Sequence, residues 1–424
     1  MAHITPRTSG TGQGIGTAGR RRGGRPWRGG RLAVVTVLAV ALLGTGCRWG
    51  GPNPAPGRPG SPPRFAATGW FRTQQVGDRW WLVTPDGRPF YSSGVNHVTP
   101  YYDVERTTGR CPYCDAIAQR YPSLDAWSDA VVSRLRAWGF NTVGAWSDVD
   151  RFSTRMPYTV LLSMAHGKDW FSPTFEDHAR QVAAEKVAPR RDDPNLVGWF
   201  LDNELRWGRD YSSTNTLLDD YLALPAGSPG RAVAERFAGD PDGFLAEVAT
   251  RYYRVTTEAI RAVDPHHLVL GTRLISFLTP APVVVAAAPW LDVLSVNHYD
   301  VIPGLVDGLN GLWGPFVPVD AALTRFHELS GLPVLVTEYS FRGADSGLPN
   351  SWPPIYLTAP TQEGRADLWQ AKVEGLYETP WIVGDHWFEW ADQPPGGRFD
   401  GEDDNFGLVS NDDDPWGPLV DRMT

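Results

Sequence analysis

Two apolar runs that each end in glutamate constrain the fold of this 424-residue chain more than any other feature. The first, Leu196 to Leu201, runs into Asp202-Asn203-Glu204, and the second, Leu332 to Thr337, runs into Glu338. A continuous apolar run of this length marks a strand buried on both faces, as parallel sheets covered by helices require. Parallel α/β barrels place their chemistry at the C-terminal ends of such strands. A lone Glu after an apolar run is usually a helix N-terminal residue or a surface charge. A matched pair on two strands points instead to paired carboxylates, one protonated and one ionised.

The surrounding pattern predicts the rest of the barrel. Phe71 to Thr84 is read as a hairpin turning at Gly77-Asp78 and capping the bottom of the barrel. Strands are expected at 90–95, 141–145, 159–164, 196–201, 267–271, 293–296, 332–338 and 381–388. Helices are expected at 123–138, 174–187, 241–263, 319–330 and 361–378. Ser123 is a candidate helix N-cap. The segment 209–239 reads as an insertion after strand four. This alternation predicts an α/β fold, a single (β/α)8 TIM barrel with an N-terminal β-hairpin and enlarged βα loops.

The first 46 residues contain seven Arg, no acid and an apolar run of twelve, Leu32 to Leu43. That run is short for a membrane span and suits the apolar region of a signal peptide. Gly44-Thr45-Gly46-Cys47 resembles a bacterial lipoprotein cleavage box, with Gly44 where an aliphatic residue is usual, and makes Cys47 the candidate lipidation site. The expected organisation is a signal peptide at 1–46, a Pro/Gly-rich linker at 47–64 and a catalytic domain at 65–424, located at the cell envelope or outside the cell. In that compartment Cys111 and Cys114 are expected to form a local disulfide in the loop after strand one.

Removing residues 1–46 takes the formal net charge from -9 to -16. Such a chain is a poor partner for nucleic acid, and it is expected to meet a membrane only through the N-terminal anchor. Nineteen tryptophans suit a large core and equally a cleft whose rings stack on sugars. The acidic run from Asp400 to Asp404, with Asp412 to Asp414, lacks the spacing of a calcium loop and is read as a hydrogen-bonded loop.

The sequence resembles the β-agarase-like glycoside hydrolases of clan A. The resemblance is carried by Gly198-Trp-Phe-Leu-Asp-Asn-Glu204, Asp264-Pro-His-His-Leu-Val-Leu-Gly-Thr-Arg273 and Thr337-Glu-Tyr-Ser-Phe-Arg-Gly-Ala-Asp-Ser-Gly-Leu-Pro-Asn350. It is also carried by His386-Trp-Phe-Glu-Trp-Ala-Asp-Gln-Pro394 and Gly397 to Val409, and covers roughly residues 70 to 420. The resemblance implies a retaining β-glycosidase with Glu204 as acid/base and Glu338 as nucleophile. Asn203 is expected to bond the sugar 2-hydroxyl, Tyr299 and Arg273 to hold Glu338, and Trp387 to lie under the sugar at the cleavage point. Asn96, His97, Trp146, His166 and His298 stand at strand ends and are candidate substrate contacts; the histidines serve equally well as loop residues with satisfied hydrogen bonds.

The expected partner is a polysaccharide or oligosaccharide, with no cofactor and no metal. Rival substrates are β-galactosides, β-mannans and β-glucans. A rival of another class is a non-catalytic glycan-binding lipoprotein, for which two strand-end carboxylates have no use. A metal-dependent hydrolase would need clustered ligands, whereas the three histidines are spread over strands one, three and six.

Overall fold

The computed structural model describes residues 63–302, 304–305, 308 and 319–424. The expected signal peptide, Cys47 and nearly all of the linker lie outside the described residues. Gly60–Thr424 forms one compact unit.

The hairpin is β1 (Arg72–Val76) and β2 (Arg79–Val83), antiparallel, with Val76 opposite Arg79. Gly77 sits in its turn at φ 63°, a conformation that suits glycine. The short β3 (Pro89–Phe90) pairs with β2. Trp80 N donates to Pro380 O at 2.7 Å, which fixes the hairpin at the N-terminal ends of the barrel strands.

The barrel strands are β4 (Ser92–Val95), β5 (Thr142–Val143), β6 (Tyr158–Leu161), β7 (Leu196–Phe200), β8 (Leu268–Gly271), β9 (Leu274–Ile275), β10 (Leu294–Asn297) and β11 (Val334–Tyr339). A small ladder outside the barrel, β12 (Arg342–Gly343) with β13 (Thr358–Ala359), precedes the last barrel strand, β14 (Ile382–Trp387). The barrel sheet is parallel, in the order β8-β7-β6-β5-β4-β14-β11-β10-β9. Its nine segments are eight strands, because β8 and β9 are two halves of strand five. The chain breaks there at Gly271 (φ 90°) and Arg273 (φ 51°). β8 pairs with β7 and β9 pairs with β10, so the broken strand joins both neighbours.

Helices surround the sheet. Strand one is followed by α1 (Pro112–Arg120) and α2 (Leu124–Ala137). Ser123 caps α2, its hydroxyl accepting from Ala126 N at 3.1 Å. The sequence reading missed α1; Cys111 caps it and is joined to Cys114 by a disulfide. Strand two leads only to a single 3-10 turn, Val149–Arg151. After strand three comes α3 (Pro173–Val182). The insertion after strand four is partly helical, with α4 (Leu217–Leu222) and α5 (Pro229–Ala234), and Asp240 then caps the long α6 (Pro241–Arg261).

The remaining helices are α7 (Ala281–Ala287), α8 (Val319–Ser330), α9 (Gln362–Glu378) and α10 (Gly417–Met423). α7 also escaped the sequence reading, because its Ala/Val run carries no polar face.

Two apolar cores sandwich the sheet. Inside, at the lower end, Val197, Leu268, Val293, Leu335 and Val383 meet Phe71 and Leu82 from the hairpin region. Outside, Trp199, Val269, Val296, Val336 and Trp387 pack with helix residues such as Val131, Leu135, Phe244 and Val248. Burying each large apolar side chain contributes about 1.5–3 kcal/mol, which fixes the frame for the strand ends.

Candidate active site

Four residues just beyond the first four strands, His97 (φ 58°), Trp146 (64°), Ser163 (60°) and Glu204 (50°), and Arg273 (51°) at the break in strand five, adopt left-handed backbone. For residues with a Cβ each such conformation costs on the order of 1–3 kcal/mol, and such strain concentrates at functional sites. Here it turns side chains out of the strand direction and over the mouth of the barrel. His97, Trp146 and Glu204 line one cleft of about 430 Å³.

Strand seven uses another device. Val296 of β10 is opposite Val336 of β11, but the next residue, Asn297, is opposite Glu338. Thr337 is therefore the extra residue of a β-bulge, which re-aims the side chain that follows it. Thr337 Oγ1 donates to Asn297 Oδ1 at 2.8 Å, and Glu338 faces the cleft.

A continuous polar chain connects the two carboxylates. Glu338 Oε1 meets Arg273 Nη2 at 2.7 Å, and Glu338 Oε2 accepts from the Tyr299 hydroxyl at 2.9 Å. Arg273 Nη1 donates to Asn203 Oδ1 at 2.8 Å. Asn297 Nδ2 reaches the same oxygen at 3.2 Å and donates to Glu204 Oε1 at 2.8 Å. Arg273 is fully buried, with its guanidinium 5.4 Å from the Phe200 ring centre and 5.8 Å from that of Trp146.

The two carboxyls differ in their surroundings. Glu204 opens to the cleft but is enclosed by protein on its other sides. That burial, followed by the charge of Glu338, pushes its pKa up to about 7 against the opposing pull of Asn297 and Arg273. Tyr299 is held well above the usual phenol range, by burial first and then by the Glu338 charge, so it stays a donor. Asp202, next to Asn203, is pushed up to about 6 by burial. It accepts from Met164 N at 3.0 Å, Ala165 N at 2.8 Å and the Tyr252 hydroxyl, and so anchors the loop after strand three.

Four sequence-predicted contacts fall elsewhere. Trp387 is fully buried on the outer face of the barrel, where Nε1 donates to Phe406 O at 2.8 Å and the ring packs against Tyr339. It is no platform in the cleft; the aromatic wall there is Tyr299, Tyr356, Phe388 and Phe406. Asn96 lies beneath the cleft, tying strands together by donating to Thr337 O at 2.8 Å and Trp387 O at 3.2 Å. His166 is exposed and stacks on His178 of α3, 4.5 Å away. His298 is buried, and burial lowers its pKa well below the usual imidazole range, leaving it neutral away from the cleft. Trp390 is core, its Nε1 donating to the Tyr113 hydroxyl at 2.7 Å.

Other residues of the site escaped the sequence reading. Asn297 had a legible signal: it shares strand parity with Tyr299, whereas His298 must face the other way. Tyr211 comes from the insertion, and Arg398, Phe399, Asp400 and Glu402 come from the loop after strand eight. Arg398 pairs with Glu402 at 2.7 Å, Asp400 at 3.1 Å and Asp103 at 3.5 Å. Asp404 pairs with Arg342 at 2.9 Å and Asp403 accepts from Ser351 N at 2.6 Å, so the acidic run is a hydrogen-bonded loop.

Among the described residues, His97, Asp103 and Glu389 place ligand-type atoms within 4.8 Å of one another. Glu389 is already held by His97 Nδ1 at 2.5 Å and the Tyr102 hydroxyl at 2.6 Å. Burial pushes the Glu389 carboxyl up, but these bonds and nearby Arg398 bring it below the usual range. Arg398 already brings positive charge to this cluster, 3.5 Å from Asp103.

No family model matches the chain. It is 28% identical to β-agarase A of Vibrio sp. (strain JT0107) over 448 residues, which cover 81% of this chain and 44% of that protein. The chain is similar to β-agarases. β-Agarase B of the same strain is 23% identical over 477 residues, covering 85% of this chain and 48% of that protein. The chain thus spans less than half the length of these curated relatives. Its fold matches the crystal structure of an agarase with a TM-score of 0.71 at 25% identity, over 86% of this chain and 63% of that one. An exo-β-agarase structure matches with a TM-score of 0.69 at 22% identity, over 86% of this chain and 65% of that one.

Proposed function

We propose that the chain is an exported, retaining β-glycosidase that hydrolyses an agarose-type β-galactan. The observation that carries this reading is the asymmetry of the two cleft carboxyls. Glu338 is held by a guanidinium and a phenol, which suits an ionised nucleophile. Glu204 has its pKa pushed up to about 7, which suits a proton donor at neutral pH.

In the first step Glu338 attacks the anomeric carbon while Glu204 gives its proton to the departing glycosidic oxygen. The covalent ester removes the negative charge of Glu338, the second cause of the raised Glu204 pKa. The pKa of Glu204 then falls, so the carboxylate left by proton donation stays ionised and takes a proton from the incoming water. That water displaces Glu338 and yields product with the starting anomeric configuration. Retention calls for carboxyls about 5 Å apart. Asn297, ladder partner of Glu338 and hydrogen-bond donor to Glu204, supports such closeness.

Asn203, bonded to Arg273 and beside Glu204, is the proposed contact for the sugar 2-hydroxyl. His97 and Trp146, which line the cleft, are proposed substrate contacts. The agarose assignment rests on the names of the relatives. Export, with lipid attachment at Cys47, rests on the N-terminal sequence pattern.

The test is a panel of agarose, porphyran, galactan, mannan and β-glucan, with Glu204→Gln and Glu338→Gln alongside. Proton NMR follows the anomer first released. Agarose cleavage with β-anomer appearing first, lost in both variants, is expected. Initial α-anomer would replace retention by inversion, another substrate would remove the agarase assignment, and activity surviving both substitutions would sink the catalytic pair. Polymer binding without turnover would support the glycan-binding alternative.

A further inference from the structure

The two most exposed of the large apolar side chains among the described residues are Phe399, at 83%, and Tyr211, at 74%. Both line the same cleft. Leaving large rings in water forgoes their burial energy, and exposed aromatic rings beside a polar cleft are the surface that an apolar sugar face covers.

They reach the cleft from separate parts of the chain. Tyr211 belongs to the insertion after strand four. Its loop is fixed by Asp210, whose Oδ1 accepts from Ser212 N at 2.8 Å and Ser213 N at 3.0 Å. Phe399 follows Arg398, whose guanidinium lies 5.5 Å from the Phe399 ring centre and 5.7 Å from that of Phe388. The Arg398 ion pairs with Asp400 and Glu402 hold that loop.

Tyr211 also adjoins Glu204. It lines a smaller depression with Glu204, Trp207 and Ile275. A proton donor sits on the leaving-group side of the bond it breaks. A ring standing beside that donor is therefore placed to meet the departing sugar.

We propose that Tyr211 is the stacking platform for the sugar on the leaving-group side of the cleavage point, with Phe399 as a second platform at the cleft mouth. The ligand is a neutral pyranose in a polysaccharide chain. This rests on the glycosidase reading above and adds the residues that select a sugar leaving group.

The experiment compares two substrates sharing one glycone: an oligosaccharide the wild-type enzyme cleaves, and the β-fluoride of the sugar it releases. Fluoride is too small to reach a platform. Wild-type turnover of the fluoride, abolished by Glu338→Gln, tests the glycosidase reading separately. In Tyr211→Ala the ratio of oligosaccharide to fluoride kcat/KM is expected to fall about tenfold. Tyr211→Phe, which keeps the ring, is expected to hold that ratio within about twofold. Phe399→Ala is expected to raise KM for longer chains more than for short ones. A Tyr211→Ala ratio equal to wild type, or a ratio lost equally in Tyr211→Phe, overturns the Tyr211 platform. Chain-length-independent KM in Phe399→Ala overturns the second.

Discussion

The lower and upper ends of the same barrel strands are built on opposite principles. At the lower end Val197, Leu268, Val293, Leu335 and Val383 fill the interior and the hairpin covers them. At the upper end the same strands finish in Asn203 and Glu204, Arg273, Asn297 and Glu338, joined by hydrogen bonds and an ion pair. The lower end gains by removing apolar surface from water. The upper end carries left-handed residues and a carboxyl that burial makes harder to ionise. Stability and chemistry are thus separated along each strand, within a few residues of each other.

The sharpest way to break this comparison is to neutralise the upper carboxyls. Glu204→Gln is expected to lower kcat by on the order of 10²–10⁴, and Glu338→Gln by at least as much. Both should melt within a few degrees of wild type. A thermal scan showing either variant largely unfolded would merge the two regions.

Next comes the opposite substitution. Leu335→Ala should lose about 2–5 kcal/mol in urea unfolding, with kcat per folded molecule close to wild type. A large kcat loss in fully folded Leu335→Ala would mean the lower packing tunes the site.

Arg273→Lys tests the link itself. Lysine keeps the charge but cannot span Glu338, Asn203 and Thr337 O together, so kcat/KM should fall by about 10².

Smaller effects lie in pH. The acid role needs protonated Glu204, so kcat/KM should decline as pH rises through about 7. The Asn297 hydrogen bond favours the ionised form, so Asn297→Ala should move that decline to higher pH. The smallest effect is on stability. A carboxyl whose pKa rises on folding, from 4.5 to about 7, stabilises the native state below the lower value, and that contribution is lost as pH rises through the upper one. Glu204→Gln lacks this loss, so its melting gain over wild type should be larger at pH 8 than at pH 5.

The lower end and the frame were largely legible in the sequence. Apolar runs announced the eight strands, and Gly77 and Ser123 marked a turn and a cap. The strand-end positions of Glu204 and Glu338 were legible too. What a doubly buried strand hides is which face each residue takes, because both faces are apolar. That is why Trp387 read as a platform while it packs outward; Asn297, by contrast, was legible from its parity with Tyr299. Cleft residues from loops, such as Tyr211 and Arg398, had no periodicity to reveal them. Their placement depends on long-range contacts like the pairing of Arg398 with Asp103.

The bulge at Thr337 carries a lesson for anyone grafting this site onto another scaffold. An ideal strand alternates its side chains, so it cannot aim two successive residues into one opening. Here the buried Thr337 bonds Asn297, and the next residue, Glu338, lines the cleft. A transplanted set of identical side chains on a regular barrel would point its key carboxylate into the surrounding helices. One inserted residue, and no change of amino-acid type, decides whether Glu338 reaches the cleft.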